Sequence, residues 1–132
     1  MTKAEQLGSM LNSNDKRRKQ LIKDCDRLFS KLIVENHNCF VCGIKAIELF
    51  HLVKREVWGL RWSKENVFPT CRKCHSRWHD GSEAVEWLED VLPDTARYYQ
   101  AHRWSVSKEP SLFDLEDLKE ELQGKLKGGD FE

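Results

Sequence analysis

The sequence predicts an α+β chain, mostly helical, in which two short strands and a helix are stapled by a four-cysteine zinc site and flanked by N- and C-terminal helices. Three observations predict it. Two Cys-x-x-Cys pairs, Cys39/Cys42 and Cys71/Cys74, stand 28 residues apart. Apolar residues recur at helical spacing before and after them, and only two short apolar runs lie between them. The composition is polar, with 33% charged and 39% hydrophobic residues among 132. That is a thin core for a small domain, and a structural metal is the usual supplement.

No run approaches the roughly 18 apolar residues of a membrane span. The first twenty residues, MTKAEQLGSMLNSNDKRRKQ, contain no apolar core of a secretory signal. A cytoplasmic protein is expected, and there paired cysteines serve metal binding or catalysis rather than disulfides. The net charge of zero hides a division. Residues 1–80 carry 16 Lys/Arg against 9 Asp/Glu, and residues 81–132 carry 6 against 13. The basic half suits a polyanionic partner. The acidic half reads as solvated helix surface.

Each element follows in chain order. Residues 1–15 are polar, with Asn12, Ser13 and Asn14 as a break or cap. Residues 15–34 read as a helix, because Leu21, Ile22, Cys25, Leu28, Phe29, Leu32 and Ile33 form a stripe of period 3.6. Cys25 sits on that stripe and is expected in the core. Lys16, Arg17, Arg18, Lys19 and Lys23 crowd the first turns against the helix dipole, a cost that phosphate contacts would offset. The first cysteine pair lies in a turn closed by Gly43. Residues 46–53 and 66–70 read as short strands around a basic loop at 54–65. The second pair opens a helix from about Arg72 to Asp80, stopped by Gly81. Residues 82–91 form a helix capped by Ser82, Pro93 starts another, and Ser111 to about Lys127 is an amphipathic helix. Three segments are expected: a basic helix at 1–34, a zinc-stapled core at 35–81 and an acidic helical region at 82–132.

A two-residue gap lets both sulfurs of a turn face one ion at about 2.3 Å, and two such turns complete a tetrahedron. Four thiolates leave no open coordination position, so this zinc is structural. It would hold in place the residues that fall around it. His51 follows Cys42 by nine residues, Asn66 precedes Cys71 by five, and His75 directly follows Cys74. His79 lies one helical turn beyond His75, so both imidazoles share a face and can reach one ion.

This order resembles the HNH family of nucleases, whose fold is a ββα-metal hairpin and helix. The resemblance rests on Cys39/Cys42, His51, Asn66 and the run Cys71-Arg-Lys-Cys74-His75-Ser-Arg-Trp-His79. It implies that His51 is the general base, that Asn66 binds backbone to hold the loop and the base, and that His75 and His79 ligate a catalytic divalent ion. The chain is more closely similar to the phage NinG (Rap) recombination endonucleases over roughly residues 39–105. The shared signs are Cys39-Phe-Val-Cys42-Gly43, Glu48-Leu-Phe-His51, Leu60-Arg61-Trp62 before Glu65-Asn66, and Glu83-Ala84-Val85 leading to His102-Arg103-Trp104. That resemblance implies metal-dependent cleavage of branched DNA, of Holliday-junction or D-loop type, by a phage protein in the bacterial cytoplasm.

The chain departs from the pattern in three places. Phe50 stands where many HNH sites place Asp or His before the base. Glu48 shares strand parity with Phe50, fits the NinG-like pattern and is the expected third ligand. His75 stands where NinG-like proteins carry Asn, and His79 rests on the broader HNH likeness alone.

The implied reaction is phosphodiester hydrolysis, with His51 taking a proton from water and Mg²⁺ or Mn²⁺ stabilising the leaving oxygen. Imidazole ligands suit Mn²⁺ better than Mg²⁺. Lys54, Arg55, Arg61, Lys64, Arg72, Lys73 and Arg77 surround these residues and are read as phosphate contacts. Trp58, Trp62 and Trp78 either stack on unpaired bases or shield a small core. His37 and His102 are assigned no metal. A homodimer would supply the two cuts a junction needs; packing of the last helix on its own domain is the alternative. Two other functions stay open: a zinc-dependent DNA-binding module without catalysis, and an HNH nuclease of homing or restriction type.

Overall fold

The apolar stripe of Leu21, Cys25, Leu28, Phe29 and Leu32 is buried along one continuous helix, α1 (Lys3–Val34). In a computed structural model of the chain, the backbone is described for residues 2–78, 82–105 and 107–128, and side chains for the same residues except 4–12 and 82. The break expected at Asn12-Ser13-Asn14 is absent, because α1 runs through it. Asn and Ser cost at most about 0.7 kcal/mol each relative to Ala, and a propagating helix gains a hydrogen bond per residue. The helix stops where Asn36 takes φ 64°, a left-handed conformation that Asn tolerates. There the His37 N–H donates to Val34 O at 3.1 Å.

Along the chain follow β1 (Glu48–His51), α2 (Trp58–Arg61), a 3₁₀ turn (Lys64–Asn66), β2 (Val67–Thr70), α3 (Arg72–Arg77), α4 (Ser82–Val91), α5 (Pro93–His102) and α6 (Leu112–Gly128). The chain is thus mostly helical with one two-stranded sheet. Both strands are shorter than expected, and the basic loop at 54–65 contains α2 and the start of the 3₁₀ turn. The third helix ends at Arg77 with Trp78 as its cap, and Asp80 and Gly81 lie outside the described residues. The fourth begins at Ser82 itself. No helix among the described residues is long and apolar enough to cross a membrane.

The chain packs as two units, residues 1–32 with 110–132, and residues 33–109. In the first, α6 opens with reciprocal caps. The Asp114 N–H donates to Ser111 Oγ at 3.1 Å and the Ser111 N–H to Asp114 Oδ2 at 3.2 Å. Cys25 and Leu115 are fully buried, and the Cys25 thiol lies 3.6 Å from the Leu115 carbonyl. Burial pushes that thiol up to about 11, so it is the core residue the stripe predicted. Lys119 pairs with Asp24 at 2.9 Å, and Arg17 pairs with Glu116.

In the second unit β1 and β2 are antiparallel, with Glu48 opposite Thr70, Phe50 opposite Phe68 and His51 opposite Val67. Side chains alternate across a strand, so Glu48 and Phe50 leave one face of β1 and Leu49 and His51 the other. Phe50, Leu52, Phe68, Trp78, Ala84, Leu88 and Ala96 form the core, with Trp87 and Tyr99 packed against it. The boundary expected between residues 81 and 82 therefore falls inside this unit. Ala84 and Leu88 of α4 and Ala96 of α5 share a core with the hairpin's aromatic face. Trp78, 3% exposed and edge-on to Phe50 and Phe68, belongs to that core and is not a stacking surface for bases.

Candidate metal centre and the His51 loop

The first cysteine pair sits in a turn that Gly43 closes at φ 85°, with its N–H donating to Cys39 O at 2.9 Å. A side chain there would strain the backbone. The second pair is set by α3, whose N-cap is Cys71, with Cys71 Sγ accepting from the Cys74 N–H at 3.5 Å. Backbone pairing joins the two turns, because the Phe40 N–H donates to Pro69 O at 2.9 Å. The four sulfurs consequently lie within 4.8 Å of one another, with Cys42 and Cys71 3.7 Å apart. Sulfurs 2.3 Å from a tetrahedral ion are about 3.8 Å apart, so the donor set and its spacing fit a metal such as zinc.

Their acidity supports the same reading. Burial raises the Cys39 thiol, but N–H groups of Cys42, Cys71 and Val41 aimed at the sulfur lower it further, to about 6. Burial, then hydrogen bonding with the other three thiols, pushes Cys74 up to about 12. Four sulfurs this close cannot all carry charge unless a cation lies among them.

At the other end of the hairpin the histidine is positioned without sulfur. The His51 Nε2–H donates to Arg61 O at 2.9 Å. A carbonyl can only accept, so Nε2 carries the proton and Nδ1 is the basic nitrogen of the neutral ring. The intervening loop is held by Asn66, which is fully buried. Its Oδ1 accepts from the Val53 N–H at 2.7 Å, and its Nδ2 donates to Val53 O at 3.0 Å and Leu60 O at 3.1 Å. One amide thus ties the start of the loop to α2, whose last residue, Arg61, holds His51. The Gly59 N–H donates to Ser107 Oγ at 2.9 Å, a second tether that the sequence did not reveal.

Glu48 and His75 meet on the opposite face of β1. His75 Nδ1 lies 3.2 Å from Glu48 Oε2, close enough for an ion pair but out of line for a hydrogen bond, and this buried nitrogen has no hydrogen-bond partner. Two donors about 3.0 Å apart match adjacent corners of an octahedron with bonds near 2.1 Å. Arg72 also reaches Glu48, at 3.3 Å. His79 lies outside the described residues. Among the described residues, the four cysteines are the one group of three or more metal-ligating side chains that converges. Phe50, at the position before His51, is buried against Trp78 and edge-on to His75, so it closes the space a ligand at that position would use.

Of the expected phosphate contacts, Lys54, Arg55, Lys64, Arg72, Lys73 and Arg77 are exposed. Arg77 pairs with Glu83 at 3.6 Å. Arg61 is half-buried, with its guanidinium 4.7 Å from the Trp58 ring centre and 5.5 Å from that of Trp62. Trp58 and Trp62 are themselves half-buried. The His37 ring donates to Glu35 O and the His102 ring to Tyr98 O. Against this geometry, comparisons with family models, with curated proteins and with solved structures return no match to the chain.

Proposed function

We propose that the chain is a metal-dependent DNA endonuclease of HNH type, with a preference for branched DNA. The observation that carries this reading is the held imidazole. His51 has its Nε2–H committed to a backbone carbonyl, at the rim of a loop clamped by a buried Asn66 amide. A base that must accept a proton at one nitrogen needs the other fixed as a donor, and this arrangement fixes it. His51 Nδ1 takes the proton from the attacking water. Asn66 is a positioning residue that acts through the loop backbone. Lys54 and Arg55, exposed and next to His51's strand, bind phosphate. Cys39, Cys42, Cys71 and Cys74 hold a structural zinc. Glu48 and His75, with His79 if it turns toward them, hold Mn²⁺ or Mg²⁺. That ion, when bound, supplies charge to the phosphate and to the departing oxygen.

The test is cleavage of labelled four-way junction, flap and linear duplex DNA with Mn²⁺, Mg²⁺ or no added metal. Wild-type protein should cut branched substrates with metal, and His51→Ala should lose about 10²- to 10⁴-fold in rate. Equal rates for both proteins would remove His51 from the chemistry.

One observation favours a second reading, a zinc-stapled DNA-binding module without catalysis. His51 and the Glu48–His75 pair leave opposite faces of β1, so the base and the two metal donors do not share a face. Binding to junction DNA with no cutting in any metal would establish the module instead.

A further inference from the structure

His51 lines a cleft of about 580 Å³ whose far wall is the C-terminal end of α5 and the residues just after it. Tyr99, Arg103 and Trp104 form that wall, and Lys54 and Glu56 stand on the loop side. The volume lies within the range of sites that enclose a small ligand. Trp104 is 78% exposed, the most exposed large apolar side chain among the described residues. Arg103 holds its guanidinium 5.2 Å from the Trp104 ring centre and 5.9 Å from that of Tyr99, so it ties the two rings into one wall. Two cations and a titratable imidazole face one carboxylate there, which favours an anionic occupant. An exposed indole beside them favours an occupant with a flat ring.

We propose that this cleft is a subsite for one unpaired nucleotide of branched DNA. Its base stacks on Trp104, and its phosphate lies between Arg103 and Lys54 on the side of His51. The inference rests on the nuclease reading and gives it a source of substrate choice, because a base still paired within a duplex has no free face for the indole. Trp58 and Trp62 serve this purpose less well, since each is half-buried and packed around Arg61.

The experiment measures binding without added divalent metal, so that nothing is cut. The probes are a forked DNA with 2-aminopurine at its unpaired positions and a linear duplex of the same paired sequence. Wild-type protein should bind the fork more tightly and quench the 2-aminopurine. Trp104→Ala should weaken fork binding by about tenfold, the scale of one base stack, abolish the quench and leave duplex binding within twofold. Trp104→Phe should restore most of the fork preference, and Arg103→Gln should flatten the salt dependence. Zinc content and circular dichroism, unchanged in these variants of exposed residues, show that the fold is intact. Fork binding by Trp104→Ala equal to wild type, or an equal loss on fork and duplex, overturns the subsite. The nuclease reading is judged separately. Wild-type cutting by His51→Ala alongside a selective Trp104→Ala defect would sink catalysis and keep the subsite. An inactive His51→Ala with an unaffected Trp104→Ala would do the reverse.

Discussion

The two ends of one hairpin, built of two four-residue strands, are held by different chemistry. At the Glu48–Thr70 end, four sulfurs crowd within 4.8 Å, a donor set that could hold a metal such as zinc. At the His51–Val67 end, the Asn66 amide meets three backbone groups and needs nothing beyond the chain itself. The first end is therefore expected to depend on a metal, while the second is complete as it folds. This contrast teaches where the proposed function would place its parts: the imidazole assigned to catalysis sits at the self-sufficient end, and the sulfur end would carry the scaffold.

The largest effect should come from the sulfur end. Structural zinc contributes about 10–16 kcal/mol of apparent binding free energy in small zinc domains, comparable to or above the stability of a whole domain. Chelation, or Cys71→Ser, should therefore release the metal and unfold the unit of residues 33–109. Metal analysis together with amide exchange reads this, and hairpin amides that stay protected after zinc removal would break the contrast.

Next is Asn66→Ala. It strands the Val53 N–H and Val53 O in the interior, at about 1–3 kcal/mol for each group that water cannot reach, while Leu60 O keeps its backbone partners. A stability loss of about 3 kcal/mol in urea is expected, with zinc still bound and cleavage impaired. Release of zinc by this variant would show that the two ends are one cooperative structure.

A smaller effect is expected from Glu48→Gln. Glu48 and His75 are each 31% exposed, and their contact is out of line for a hydrogen bond. Stability should change by less than about 1 kcal/mol. Stimulation by Mn²⁺ should fall if Glu48 holds the ion, and unchanged stimulation would remove Glu48 from the metal site.

The smallest lies outside the hairpin. Hydrogen bonds from Lys119 and then Gln20 hold the Asp24 carboxyl below its usual value of 3.8. A depressed carboxylate stabilises the folded state fully above its unfolded value, and that contribution is lost as pH falls through the folded one. Asp24→Asn should thus cost less than about 1 kcal/mol at pH 7, and the cost should shrink as pH falls below 3.8, read from thermal melts. Neither end of the hairpin should respond.

Much of the fold was legible because it is local. The stripe from Leu21 to Leu32, the Pro93 helix start, the amphipathic helix from Ser111 and the spacing of the cysteines each depend on residues within a turn or two. Errors arose where a local signal was weak against packing. Asn12-Ser13-Asn14 did not stop α1, and the first part of the segment expected at 82–132 shares the hairpin's core through Ala84, Leu88 and Ala96. Of the candidate site, the convergence of the four cysteines was legible in their spacing, and the arrangement around them was less so. The cysteine cluster and the buried Asn66 stand where spacing put them, whereas Trp78 is core and Phe50 fills a ligand's place. Arg103 and Trp104 were visible only as part of a short motif, with no sign that they and Tyr99 would line a cleft with His51.

What the sequence alone determined is which residues share a turn, a helix face or a strand face, because fixed backbone periods set those relations without regard to the rest of the chain. Only the tertiary structure decided that the Arg61 carbonyl fixes the His51 tautomer, that one amide spans from residue 66 to residues 53 and 60, and that Glu48 faces His75 across from His51. Those pairings depend on where loops close and which core face draws each element in, and neither quantity is written in any short stretch of residues.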